Sequence, residues 1–321
     1  MISSKMINKK NFLATLALIM TVVAVKAQQD AQYTQYMFNT LSVNPAYAGS
    51  RGQLTAAALY RSQWVGLEGA PETFTLNLHS PIRNSRVGYG ISLVNDNIGD
   101  GTVQETYLDA TVSYTIDVSR DAKLSFGLKG GGNFLSLDFQ KLRNFDAEVV
   151  EQDNIDSQFS PNFGLGVYYH SDNFYAGLSA PNIIETEFFD NDNTDANNVQ
   201  FLATERINFY FITGYVFDIN GDLKFKPALL TKAVGGAPLQ VDVSANFLFA
   251  EKFSFGAAYR WDAALSAMAG FQITDQFMLG LAYDKETTDL GTRRFNDGSF
   301  EVFLRFELLK RFQRTISPRF F

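Results

Sequence analysis

From Leu54 to Leu308, apolar side chains recur at every second position, the period of a β-strand rather than the 3.6 of a helix. In KFSFGAAYRW, Phe253, Phe255, Ala257, Tyr259 and Trp261 share one face, and Ser254, Gly256, Ala258 and Arg260 the other. GSFEVFLRFEL sets Phe300, Val302, Leu304, Phe306 and Leu308 against Glu301, Phe303, Arg305 and Glu307. YLDATVSYTI and RVGYGISLV alternate in the same way at Leu108–Ile116 and Val87–Leu93. Such segments predict about fourteen strands, most near the 9–11 residues with which a tilted strand crosses a bilayer. The predicted spans include 86–95, 159–170, 206–218 and 222–231.

The connections carry an independent pattern. SPIRNS, VSRD, HSDN, DINGD, FAEK and TDQ are short, and most alternate with longer segments such as 138–158, 182–205 and 285–298. WDA is the one brief connection where a longer one is due. Short periplasmic turns alternating with longer external loops are the mark of a bacterial outer-membrane barrel, and an even strand number returns both chain ends to the periplasm. Unpaired backbone groups are costly in hydrocarbon, so a sheet with one lipid-facing side must close on itself. The fold class expected is therefore all-β, a transmembrane antiparallel β-barrel. A secreted β-sandwich or propeller is the soluble competitor, but no 40–50-residue repeat supports it.

Composition narrows the function classes. The chain has 321 residues with 27 Lys plus Arg against 34 Asp plus Glu, a net charge of −7. That balance does not suit a nucleic-acid binder. There is no cysteine, hence no disulfide framework and no thiolate metal site. Lys5, Lys9 and Lys10 precede the apolar run Phe12–Val25, and VKA ends at Ala27. Residues 1–27 therefore read as a signal peptide, the run being short of the roughly 20 residues of a spanning helix. Residues 28–52 follow as a periplasmic or lumenal segment, 53–308 as the barrel and 309–321 as a basic periplasmic tail.

Candidate chemistry is sparse. His79 and His170 lie near strand ends, with no second ligand at metal spacing, and read as surface residues. No nucleophile elbow, phosphate loop or dinucleotide fingerprint occurs, so no catalytic and no metal residue is assigned. Two external loops are acidic, with Asp146 and Glu148 in one and Asp190, Asp192 and Asp195 in the other. They offer contacts to a partner. Calcium is the ion such loops would take up, but DNDNTDANN lacks the glycine and the terminal acid of a calcium loop, and no cofactor is expected. On the opposite side, Arg83, Arg86, Arg120 and Lys123 sit in two short turns, joined by Lys310, Arg311, Arg314 and Arg319 in the tail. This basic end could dock an acidic periplasmic partner.

QYTQYMFNTLSVNPAYAGS, then YRSQWVGLEGAPETFTLNLHSPI, and finally ISPRFF together resemble the PorP/SprF family of the type IX secretion system in Bacteroidota. The resemblance covers essentially the whole mature chain. It implies an outer-membrane barrel without catalytic activity of its own. It also implies partners: outer-membrane lipid, a secreted or surface adhesin, and periplasmic secretion-system components. Gliding motility is implied where that partner is a motility adhesin. A transport channel for small or hydrophobic solutes is the alternative.

The segment Gln32–Arg51 is too aromatic for a linker and too polar for a core strand. Pro45 lacks an amide donor and disfavours helix at Asn44. Tyr33, Tyr36, Met37, Phe38 and Tyr47, with Asn44 and Pro45, are expected to fold into the lower lumen as a hatch over the periplasmic mouth.

Overall fold

The computed structural model describes residues 32–141, 154–189, 201–204, 206–288 and 296–308. It is a closed antiparallel barrel of 14 strands. In chain order the strands are β1 (Leu54–Ser62), β2 (Glu72–Pro81), β3 (Val87–Ile98), β4 (Val103–Asp117), β5 (Ala122–Leu137), β6 (Ile155–Ser171) and β7 (Phe174–Ala180). A small hairpin follows, β8 (Glu187–Phe189) with β9 (Phe201–Thr204). The wall resumes with β10 (Asn208–Tyr215) and its short continuation β11 (Phe217–Asp218). It ends with β12 (Leu223–Val234), β13 (Gln240–Phe249), β14 (Phe253–Arg260), β15 (Ala264–Gln272), β16 (Phe277–Glu286) and β17 (Ser299–Leu308).

Each strand pairs with its chain neighbour, and β10 bridges β7 to β12. Closure comes from β17 lying on β1, in register from Leu54 opposite Leu308 to Ser62 opposite Phe300. No edge remains in the main sheet, so the wall backbone is satisfied inside hydrocarbon. The registers put every second side chain outward. In β17, Phe300, Val302, Leu304 and Leu308 face out, whereas Ser299, Glu301, Phe303, Arg305 and Glu307 are buried inside. The outer surface carries Phe253, Phe255 and Tyr259 from β14 and Trp261 from the turn after it, an apolar skin suited to lipid.

The turns at one end are short: 82–86, 118–121, 172–173, 219–222, 250–252 and 273–276. Connections at the other end include 63–71, 138–154, 181–207 and 287–298, which marks that end as external. The exception at 261–263 stands, as a tight external turn.

Several strands run past the boundaries that periodicity predicts. β3 reaches Ile98, β12 reaches Val234 and β6 begins at Ile155. The reason is ladder pairing: β6 is held along β5, β3 along β4, and the end of β12 by Asn208 opposite Val234 on β10. The β8–β9 hairpin in the 182–205 connection is not foretold by periodicity, being too short to show one.

Eight strands close on a core of side chains, whereas sixteen or more leave a water channel. Fourteen strands enclose an intermediate bore, and here it is filled by the chain itself.

Candidate functional site

The filling is residues 32–52, and its conformation follows from its sequence. Thr40–Val43 form a single helical turn, α1. It stops at Asn44, held extended at φ −142° and ψ 110°, as the residue before a proline should be. Pro45 then opens a 3₁₀ turn through Tyr47. Its missing amide costs nothing at this first position, and the Asn44 side chain caps the turn by accepting from Ala46 N–H at 2.9 Å.

This segment is bound to the wall by both polar and apolar contacts. Near the external end, Glu301 accepts two successive backbone amides, Thr34 N–H at 2.9 Å and Gln35 N–H at 2.8 Å. The Thr34 hydroxyl donates to Asp284 Oδ2 at 2.6 Å. Arg61 stands between the two acids, 2.7 Å from Asp284 and 3.3 Å from Glu301. Halfway down, Asn77 donates to Asn39 and, at 2.8 Å, to the Ser42 hydroxyl. Lower still, the Asn44 side chain donates to the Val167 carbonyl at 3.0 Å, and Ser113 donates to the Ala48 carbonyl at 2.7 Å. At the periplasmic end Arg51 meets Glu307 at 2.6 Å, and Gln53 donates to the same carboxylate.

Between these anchors the aromatic residues bury themselves. Tyr33, Tyr36, Met37, Leu41, Val43 and Tyr47 share a core with wall residues Leu59, Tyr168, Tyr175, Ile212, Leu230 and Phe303. Phe38 stacks on Phe303 with centroids 5.4 Å apart. The Lys226 ammonium lies 5.6 Å from the Phe38 ring and the Arg305 guanidinium 5.8 Å from it, so two buried cations face one π-cloud.

The wall is thinned to admit the segment. Gly127 of β5 and Gly166 of β6 are direct cross-strand partners. A Cβ on Gly127 would stand 2.2 Å from Ala46 N, and one on Gly166 would stand 2.2 Å from Asn44 Oδ1. The pair forms a notch in which Asn44–Ala46 rests on bare backbone. Gly127→Val is expected to force the segment off the wall and cost about 1–3 kcal/mol, the usual penalty of overpacking. It should appear as a lower temperature of conversion from folded to unfolded migration on gels. An unchanged conversion temperature would show that the notch is incidental.

Gaps remain beside the segment. One cavity of about 70 Å³ is bounded by Leu41, Tyr107, Asp109, Lys129 and Asn182, with Lys129 Nζ 2.8 Å from Asp109 and 2.9 Å from Asn182. It is small beside the 300–1,000 Å³ of a ligand pocket. A wider one of about 200 Å³ opens at the periplasmic mouth between Gly49, Pro81, Arg86, Lys123 and His170.

The model of the family described as "Type IX secretion system membrane protein PorP/SprF" matches residues 25–306. The chain belongs to the PorP/SprF family. It is an outer-membrane protein of the type IX secretion system. No curated protein matches it. Similar solved structures include the outer membrane protein Omp33 of Acinetobacter baumannii, 10% identical over 80% of this chain and 100% of that one, with a TM-score of 0.47. The CymD monoaromatic hydrocarbon channel is 9% identical over 85% and 93%, with a TM-score of 0.48. A FadL homologue of Pseudomonas aeruginosa is 12% identical over 84% and 94%, with a TM-score of 0.41.

In this PorP/SprF barrel the seven residues singled out before β1 all lie inside the lumen. Their position differs from the expected one in height. Rather than capping the periplasmic mouth, the segment runs nearly the full length of the bore, because its polar partners are distributed along the wall. Arg83, Arg86 and Arg120 are exposed on two neighbouring periplasmic turns, and Lys123 is exposed as the second residue of β5 rather than on the turn, the strand ladder already holding it; Arg86 is 4.0 Å from Asp117. Lys310, Arg311, Arg314 and Arg319, the signal peptide, and Asp146, Glu148, Asp190, Asp192 and Asp195 lie outside the described residues.

His79 corrects the reading as a surface residue. It is buried, accepts Gly49 N–H on Nδ1 at 3.1 Å and packs edge-on against Tyr47. Position near a strand end did not expose it, since its face points inward to the plug. The inward charges Arg61, Lys226, Asp284 and Glu301 were missed altogether. Their only signal is a charged residue at the polar phase of an otherwise apolar strand.

Proposed function

We propose that this PorP/SprF barrel is a non-conducting, non-enzymatic platform that supports secretion or surface attachment of a partner protein. The partner class is a large surface adhesin outside, with secretion-system components on the periplasmic side. One observation carries this reading: the lumen is occupied by residues 32–52, fixed to the wall at its external end, middle and periplasmic end. A pore that passes solutes needs a continuous wetted path, and a segment held by buried charge and stacked aromatics opposes one. What is left for function is the two rims, where Arg83, Arg86 and Arg120 on the turns and Lys123 at the start of β5 make the periplasmic side basic.

Planar-bilayer recording tests the reading. The purified barrel is expected to give no stable conductance, while membranes of expressing cells yield a surface adhesin or periplasmic component on co-purification. A substrate-dependent conductance in the intact protein would instead favour the transport of small or hydrophobic solutes.

A further inference from the structure

The segment enters the barrel at the end opposite to the one from which β1 departs. Arg260, the last residue of β14 at an external turn, donates to the Gln32 side chain at 3.1 Å. Thr34 and Gln35 bind Asp284 and Glu301, near the external ends of β16 and β17. Tyr33 reaches Thr75 of β2 at 2.9 Å, also on the external half. From there the partners descend in order. Asn77 contacts Asn39 and Ser42, Val167 meets Asn44, Ser113 meets Ala48, and Glu307, one residue from the periplasmic end of β17, meets Arg51. The chain then turns at Gly52 and climbs again as β1.

We propose that residues 32–52 form an axial strap that joins the cell surface to the periplasmic mouth, and that the carboxylate clamp at its top keeps its bottom in place. Gln32, half-buried at the external opening, is the part of the strap that a surface partner can reach. The clamp suits a releasable hold. Glu301 grips main-chain amides with both carboxylate oxygens, so it reads the path of the backbone and not a side chain. Arg61, which offsets its charge, belongs to the wall and not to the strap. At the bottom the strap frames the mouth cavity through Gly49, Ser50 and Gly52. Displacement at the top would therefore change the surface offered to the periplasm, without anything crossing the lumen.

The natural absence of cysteine makes the test direct. Single variants Gln32→Cys, Leu67→Cys on an external loop and Ser119→Cys on a periplasmic turn are exposed to a membrane-impermeant maleimide on intact cells. Gln32→Cys and Leu67→Cys are expected to label, and Ser119→Cys only after the outer membrane is permeabilised. A Gln32→Cys protein that stays unlabelled on intact cells while Leu67→Cys reacts would overturn the external entry. The coupling is read with Ser50→Cys in permeabilised cells, alone and combined with Glu301→Gln. In glutamine one of the two oxygens that accept these amides becomes an NH2 donor facing an N–H, so labelling of Ser50→Cys should accelerate by at least roughly tenfold, the factor given by one lost hydrogen bond to a charged group. Equal rates would show the two ends to be independent. The inference rests on a closed lumen, yet it can fail separately: a conducting wild-type barrel would contradict the platform role and leave the labelling order unaffected.

Discussion

Deleting Gln32–Ala46 is expected to turn a silent barrel into one with a stable step conductance. The wall does not depend on this segment for its backbone hydrogen bonds. Closure is by β1 on β17 and by β10 between β7 and β12, all of which persist in the deletion. What the deletion removes is the covering of inward side chains. Thr75, Asn77 and Ser179 lose their partners, and Arg61, Asp284, Glu301 and Lys226 lose their shielding from water. A bore lined by such groups fills with water rather than collapsing, because its hydration replaces the hydrogen bonds lost. The newly uncovered Leu59, Tyr168, Tyr175, Ile212, Leu230 and Phe303 oppose this, but the other inward positions of the wall are mostly polar. Recording from the refolded variant in planar bilayers, with gel migration as proof of folding, decides the matter. A folded deletion variant that stays silent would mean that the wall itself closes.

The second large effect is expected at Arg61. Its side chain and that of Asp284 are each 1% exposed, and Glu301 is 0% exposed, so the three charges lie together out of water. Arg61→Met would leave two carboxylates facing each other without a cation. Removal of one partner from a buried ionic cluster costs about 3–5 kcal/mol. At a few degrees per kcal/mol, the conversion temperature should fall by on the order of 10 °C. The control is Arg61→Met with Asp284→Asn and Glu301→Gln, which removes the unpaired charge and should recover much of the loss. If the single variant matches the wild type, or the triple is as unstable as the single, the cluster is not held by charge balance.

The outward half of this molecule was legible because lipid is a uniform solvent. Phe253, Phe255 and Tyr259, or Val302 and Leu304, need only be apolar, so each strand states its own face without reference to any other. Loop length then gave orientation. The inward half obeys a different rule. Arg61 is tolerable only because β1 lies beside β17, directly opposite Glu301, and Asp284 stands on the next strand. The same holds for His79, whose burial depends on Gly49 and Tyr47 coming back down the bore. Gly127 and Gly166 look like ordinary small strand residues until pairing makes them one notch.

The sequence by itself determined that the region 54–308 is built from strands, about how many there are, which face meets lipid and which end carries the long loops. It also marked Gln32–Arg51 as an ordered, buried segment, through aromatics that had to be covered and a proline that could not enter the wall. Only the tertiary structure decided where that segment goes. Its direction along the bore is set by which wall positions offer carboxylates, carbonyls and gaps at each height. Those positions come from strands far apart in the chain, aligned only when the barrel closes and fixes their registers.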